Sequence, residues 1–157
     1  MAAKLYEQDS IAGSERVGSN RMNYSRAAMA AVAATIVFFA VGYLGEGWLF
    51  RSHFQPYQTV YRSAEQMQKY MPVGMVALLA GNLALAAVYA RWCGGRSDAA
   101  SGLQFGLLVG VFASCVHPIT NLMTMNIGPK LGLEIAASTF VQWAAVGIMF
   151  GLIYRPR

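Results

Sequence analysis

The longest uncharged run of the chain is residues 99–129, AASGLQFGLLVGVFASCVHPITNLMTMNIGP, in which none of the 31 positions is Asp, Glu, Lys or Arg. A helix that crosses a bilayer needs about 20 apolar residues. Within the run, Gly102, Gly106, Gly110 and Ser114 recur at every fourth position. This spacing leaves one face of an α-helix without side-chain bulk. The pattern therefore predicts a membrane-spanning helix that another helix approaches backbone to backbone.

Three further apolar runs extend this prediction to the rest of the chain. The chain is 56% hydrophobic and only 12% charged, whereas soluble domains are about 25% charged. Together the runs predict an all-α fold, an integral membrane four-helix bundle formed by one domain, residues 27–157. The predicted spans are residues 27–50, 68–91, 99–126 and 133–154.

Residues 1–26 differ in composition from the rest, being polar and rich in Ser, Gly and Asn. Such a composition buries little apolar area, so it predicts a disordered tail. Connections on alternate sides of the four spans carry Lys and Arg unequally, with eight on the side of the termini and four on the other. The excess predicts that both termini lie in the cytoplasm.

Helix starts are indicated at two connections. Asp98 precedes the third span and is a favourable N-cap residue. Ser63 is followed three residues later by Gln66, the spacing of a capping box. The second helix is therefore expected to begin near Ala64, before the hydrocarbon.

Several function classes are disfavoured by the sequence. The net charge of +5 comes from basic residues at segment ends, which is typical of membrane topology signals and not of a nucleic-acid surface. Phosphate-loop, G-x-S-x-G, H-E-x-x-H and C-x-x-C patterns are absent. Cys93 and Cys115 form no recognisable pair. The sequence predicts no enzyme activity, no metal site and no cofactor.

The small-residue face of the third span has two interpretations. In the favoured one, Gly102, Gly106, Gly110 and Ser114 pack inside the bundle, and a second small-residue pair on the fourth span is the partner. That pair consists of Gly147 and Gly151. In the alternative, the face points outward to a second copy of the chain or to a foreign helix.

Polar residues within the spans form the candidate site. With both termini inside, most of them fall in the outer half of the membrane, and two stripes on the third and fourth spans are expected to face each other. The candidate residues are Glu46, His117, Asn121, Glu134, Ser138 and Gln142.

Three interpretations of these residues remain open. The favoured one is structural, with interhelical hydrogen bonds that fix the packing faces. The second is a proton or small-ligand site in which Glu46, His117 and Glu134 titrate. The third, less favoured, uses His117 as an axial ligand of haem or of a pigment metal.

A family resemblance follows from several local motifs. These are GYLGEGWLF at 42–50, Tyr57, Tyr61-Arg62, Glu65-Gln66-Met67, GLQFGLLVG at 102–110 and GLIYR at 151–155. From about residue 27 onward the chain resembles a family of small four-span bacterial membrane proteins of unknown function. The resemblance implies a four-helix bundle in a bacterial inner membrane, and it implies no reaction or substrate.

The predicted function is that of a non-catalytic accessory subunit in the lipid bilayer, packing against other membrane proteins or against itself. The alternative is a small proton-linked carrier or channel that uses Glu46, His117 and Glu134. No nucleic-acid partner is expected.

Overall fold

Five α-helices and no strand form the part of the chain that the structure, a computed structural model, describes, residues 22–156. The helices are α1 (Tyr24–Gly42), α2 (Arg51–Phe54), α3 (Ala64–Trp92), α4 (Ala99–Thr124) and α5 (Pro129–Ile153). A π-helix, Tyr43–Leu49, continues α1, and a 3₁₀ turn, Gln55–Tyr57, continues α2. The prediction of an all-α fold is confirmed.

The four long helices are each long and apolar enough to cross a bilayer. This is the architecture of a multi-pass membrane protein. The helix α1 begins at Tyr24, three residues before the predicted span, because the Asn23 side chain accepts a hydrogen bond from the Arg26 backbone at 3.3 Å. The predicted disorder of the N-terminal tail concerns mostly residues 1–21, which lie outside the described part of the chain.

Asp98 and Ser63 are the N-cap residues of α4 and α3, and the two bonds of a capping box are formed at Asp98 whereas Ser63 forms one of them. The Asp98 carboxylate accepts a hydrogen bond from the Ser101 backbone N–H at 2.7 Å, and Ser101 Oγ accepts one from the Asp98 N–H at 3.0 Å. The bond from the Ser101 backbone is the main reason that the pKa of Asp98 is lowered, and the Ser101 hydroxyl adds to it. At α3, Ser63 Oγ accepts from the Gln66 N–H. The local sequence therefore sets where α3 and α4 begin.

The helix α5 is central in the bundle, since it packs against both α4 and α1, and α3 packs mainly against α1. Both ends of the described chain lie at the same end of the bundle, where Asn23 Nδ2 donates to the Arg155 carbonyl at 3.3 Å. The connection between α1 and α3 lies at the opposite end. There, Tyr57 and Tyr61 pack on a small cluster formed by Ile127, Leu131 and Ile135.

The contact between α4 and α5 is a glycine seam, formed by Gly102, Gly106, Gly110 and Ser114 of α4 and by Gly147 and Gly151 of α5. A Cβ atom added at Gly106 would lie 2.6 Å from the Trp143 carbonyl and 2.8 Å from Gly147 Cα. One added at Gly102 would lie 2.7 Å from Gly151 Cα. The two backbones touch along this line, so no larger side chain fits there.

The seam continues beyond the glycines toward the opposite end. Gly110 faces the Phe140 ring, and Ser114 Oγ donates to the Ala136 carbonyl at 2.9 Å. The small residues of α4 therefore face α5 within the chain along this whole line.

An aromatic cluster closes the bundle at the end that carries the termini. Tyr89 is fully buried at 0% exposure, and its ring centroid lies 5.3 Å from Phe105, 6.0 Å from Phe150 and 6.0 Å from Tyr154. Its hydroxyl hydrogen-bonds with Ser97 Oγ at 3.1 Å and with Ser101 Oγ at 3.2 Å. This one side chain joins the end of α3 to α4 and α5.

Candidate functional site

The first polar group lies where the π-helical end of α1 meets α5. Gln142 Nε2 donates to Glu46 Oε1 at 3.3 Å and to Ser138 Oγ at 2.9 Å. Gln142 is only 4% exposed, and Glu46 is partly buried. The amide therefore links a carboxylate of one helix to a hydroxyl of another.

Two glycines, one at the end of α1 and one in the π-helix that continues it, make room for this group. A Cβ atom at Gly42 would lie 3.2 Å from Gln142 Oε1, and one at Gly45 would lie 2.9 Å from Ser138 Oγ. The π-helix that carries Glu46 is a form that recurs at functional sites. Because Gly42 and Gly45 have no side chains on the turns that face α5, Glu46 lies close to that helix.

The second polar group pairs Glu134 with a residue of the α1–α3 connection. His53 Nδ1 lies 2.8 Å from Glu134 Oε1, and the two side chains are 41% and 14% exposed. Among residues 22–156, the second carboxylate oxygen of Glu134 is buried without a hydrogen-bond partner. The pair ties the connection to the first turns of α5.

His53 is not among the residues predicted from the sequence, because it lies in the irregular connection between α1 and α3, where no helical periodicity assigns it to a face. The topology of the chain nevertheless indicates which end of the bundle His53 occupies. In a four-span topology the first and third connections lie on the same side of the membrane, so His53 and the start of α5 are brought to one end.

The third polar group, His117 with Asn121, shares no hydrogen bond or ion pair with the other two among residues 22–156. Both residues are on α4, where Asn121 Nδ2 and His117 Nε2 are 3.3 Å apart on an exposed surface. Of the polar stripe predicted on α4, Ser114 is the member that donates to α5. The six candidate residues therefore take part in three separate sets of contacts, and the expectation that the two stripes face each other stays a prediction.

Metal ligation was one interpretation of His117. Within the described residues, no three His, Cys, Asp or Glu side chains lie together in a way that would hold a metal ion. Axial ligation by His117 alone stays a prediction.

A buried polar pair, Asn82 and Thr35, lies in the middle of the bundle. Asn82, on α3, donates to Thr35 Oγ1 of α1 at 3.0 Å, and Thr35 Oγ1 donates to the Ala31 carbonyl at 2.8 Å. Asn82 stands out in the sequence as a polar residue within an apolar run. Thr35 gives no such signal, because a threonine in a membrane helix often bonds to its own backbone.

An open cavity of about 960 Å³ lies beside Glu46, under the α1–α3 connection. Its lining includes Arg51, Tyr61 and Arg62. The Tyr61 hydroxyl is buried and has no hydrogen-bond partner among the described residues. Burial, and then the negative charge of Glu46, raise the pKa of Tyr61. The cavity thus combines one carboxylate, two guanidinium groups and a neutral phenol.

These features define a helical multi-pass membrane protein with polar groups in the middle of the bundle and toward the end opposite Asn23 and Arg155. Comparison of the chain with models of protein families, with curated proteins and with solved structures found no match. The functional conclusion therefore depends on the geometry of the chain itself.

Proposed function

We propose that the protein is a non-catalytic accessory subunit that associates laterally with another membrane protein through α3. In this proposal it is held in a bacterial inner membrane with both termini in the cytoplasm, as the distribution of Lys and Arg favours. The partner is a transmembrane helix of a different protein.

The observation that carries the proposal is the isolation of the first half of α3. Every residue from 65 to 77 is exposed, whereas Asn82, Ala86 and Tyr89 in the second half are buried. Helices in a membrane associate through close packing and interhelical hydrogen bonds. Half of α3 makes no such packing within the described chain, so it is the part of the bundle most available to another helix.

One face of α3 points away from α1 and is apolar. Val76, Ala80 and Leu83 share it at helical spacing, and Val76 is 68% exposed. The glycine seam, by contrast, lies between α4 and α5. The surface offered to a partner is therefore the outer face of α3 rather than the small-residue stripe of α4.

Site-directed photo-crosslinking in native membranes tests this proposal. A photoreactive amino acid at Val76 or Leu83 is expected to give a discrete adduct with a second protein. The matched control positions are Val111 and Val116, which are also exposed but lie on α4, and they are expected to give lipid adducts only.

Two results would contradict the accessory role. One is equal adduct formation at the α3 and α4 positions, which indicates random encounters. The other is a single adduct of twice the chain's mass, which identifies the partner as a second copy of the chain.

The proton-linked carrier is a second candidate, favoured by one observation, the contact between Glu46 and Gln142 at the junction of α1 and α5. Its weakness is that, among residues 22–156, His117 bonds to Asn121 and forms no ion pair with Glu46 or Glu134. In liposomes of purified protein, pH-dependent uptake that is abolished by Glu46→Gln and kept by His117→Ala would favour the carrier over the accessory subunit.

A further inference from the structure

We propose that the cavity beside Glu46 binds the headgroup of a zwitterionic phospholipid with a primary amine, the phosphatidylethanolamine class, and that an acyl chain of this lipid lies along α3. The proposal does not rest on the lateral partner, because the groove residues that it uses are Met67, Met71 and Gly74, and the crosslinking positions are Val76 and Leu83.

The charges that line the cavity match such a headgroup. Arg51 and Arg62 supply guanidinium groups, which bind phosphate oxygens in a bidentate manner. Glu46 supplies a carboxylate, which accepts hydrogen bonds from an ammonium group. Among residues 22–156, neither arginine lies within ion-pair distance of a carboxylate. Both signs of charge are therefore available to a ligand that carries both.

Arg62 is also held in position at the mouth of the cavity. Its guanidinium carbon lies 4.0 Å from the centre of the Tyr70 ring, a stacking geometry that arginine favours. The stacked plane keeps the N–H groups at its edge free to bond with phosphate oxygens. Tyr61, whose buried hydroxyl has no partner in the described chain, adds a further polar group to the lining.

The cavity continues into an apolar groove on α3. Arg62 and Met67 line the cavity and also a shallower hollow of about 430 Å³ that extends to Tyr70, Met71 and Gly74. Met67, Met71 and Gly74 lie on one helix face, at steps of four and three. The polar part of the site lies at the end of α1, and the groove enters the apolar run of α3, so an amphipathic ligand fits the two together.

The carboxylate makes the site selective. A purely anionic headgroup would bring negative charge close to Glu46 without a positive charge to balance it. A choline headgroup carries no N–H and donates no hydrogen bond to Glu46. A primary ammonium group supplies both the positive charge that balances Glu46 and an N–H group that donates a hydrogen bond to it.

Native mass spectrometry of the delipidated full chain tests the proposal, with titration of phosphatidylethanolamine, phosphatidylcholine and phosphatidylglycerol. We expect phosphatidylethanolamine to bind about tenfold more tightly than either of the others. Glu46→Gln is expected to remove this preference, and Arg62→Gln is expected to weaken phosphatidylethanolamine about tenfold. Arg91→Gln, an exposed arginine at the other end of α3, is the matched control and is expected to change nothing.

Three results would overturn the proposal. Equal binding of the three lipids by the wild-type chain would do so without any variant, which keeps the test decisive even if a variant fails to fold. Unchanged binding by Glu46→Gln and Arg62→Gln would do so as well. Soluble phosphoethanolamine that binds as tightly as the lipid would exclude the acyl groove. None of these outcomes bears on crosslinking at Val76, so the two proposals fail separately.

Discussion

Replacement of Gly106 by leucine is expected to separate α4 from α5. It is expected to lower the stability of the bundle more than the same replacement at any glycine outside the seam. A Cβ atom at this position meets backbone atoms, Trp143 O at 2.6 Å and Gly147 Cα at 2.8 Å. Backbone does not yield as a flexible side chain does, so the two helices must move apart. We expect a loss of about 1–3 kcal/mol or more in the free energy of unfolding, measured by titration with sodium dodecyl sulfate from mild detergent micelles.

The matched control is Gly81→Leu. Gly81 is also a glycine within an apolar helix, but a Cβ atom there has nothing within 4 Å. Its substitution is expected to change the free energy of unfolding by no more than about 0.5 kcal/mol. If the two variants lose stability equally, the close approach of α4 and α5 is not what holds the bundle.

Tyr89→Ala is expected to have the second large effect. The ring is fully buried among Phe105, Phe150 and Tyr154, and removal of a buried aromatic ring costs about 3–5 kcal/mol. Because Tyr89 joins the end of α3 to α4 and α5, its loss is also expected to free that end of α3. Maleimide labelling of Cys93, which is buried four residues further on, measures this opening in a Cys115→Ala background.

Two further variants control for the Tyr89 hydroxyl and for the loss of an exposed tyrosine. Tyr89→Phe keeps the ring and loses only the bonds with Ser97 and Ser101, so we expect a loss of about 1 kcal/mol. Tyr43→Ala removes a tyrosine that is largely exposed and is expected to leave Cys93 protected. Rapid labelling of Cys93 in the wild-type chain would show that the aromatic cluster does not close this end of the bundle.

The sequence was sufficient for the helices because their signals are local. The uncharged runs fix four spans, and Asp98 and Ser63 fix two helix starts through side chains only three residues from their partners. The small residues of α4 are also a local pattern, since a step of four residues returns to nearly the same face.

The position of His117 could not be predicted from the same pattern, for a geometric reason. Each step of four residues overshoots a full turn by about 40°, so the contact line with α5 drifts around α4. After Ser114 it reaches Pro118, which is buried, and leaves His117 on the exposed side. The polar stripe and the contact line therefore diverge within one turn.

The remaining site contacts join distant parts of the chain, and no periodicity reports them. Glu46 meets Gln142, and His53 meets Glu134. The first contact depends on how the π-helical end of α1 packs on the middle of α5, and the second on how the connection between α1 and α3 folds over the start of α5. Topology predicts which end of the bundle these residues share, but not which pairs form.

Solid-state NMR of glycine-labelled protein in lipid bilayers tests the central claim, the backbone contact between α4 and α5, most directly. The structure predicts a strong Cα–Cα cross peak between Gly106 and Gly147, with the sequential Gly94–Gly95 correlation as an internal standard. A spectrum that contains the sequential correlation and lacks the Gly106–Gly147 cross peak would contradict the account.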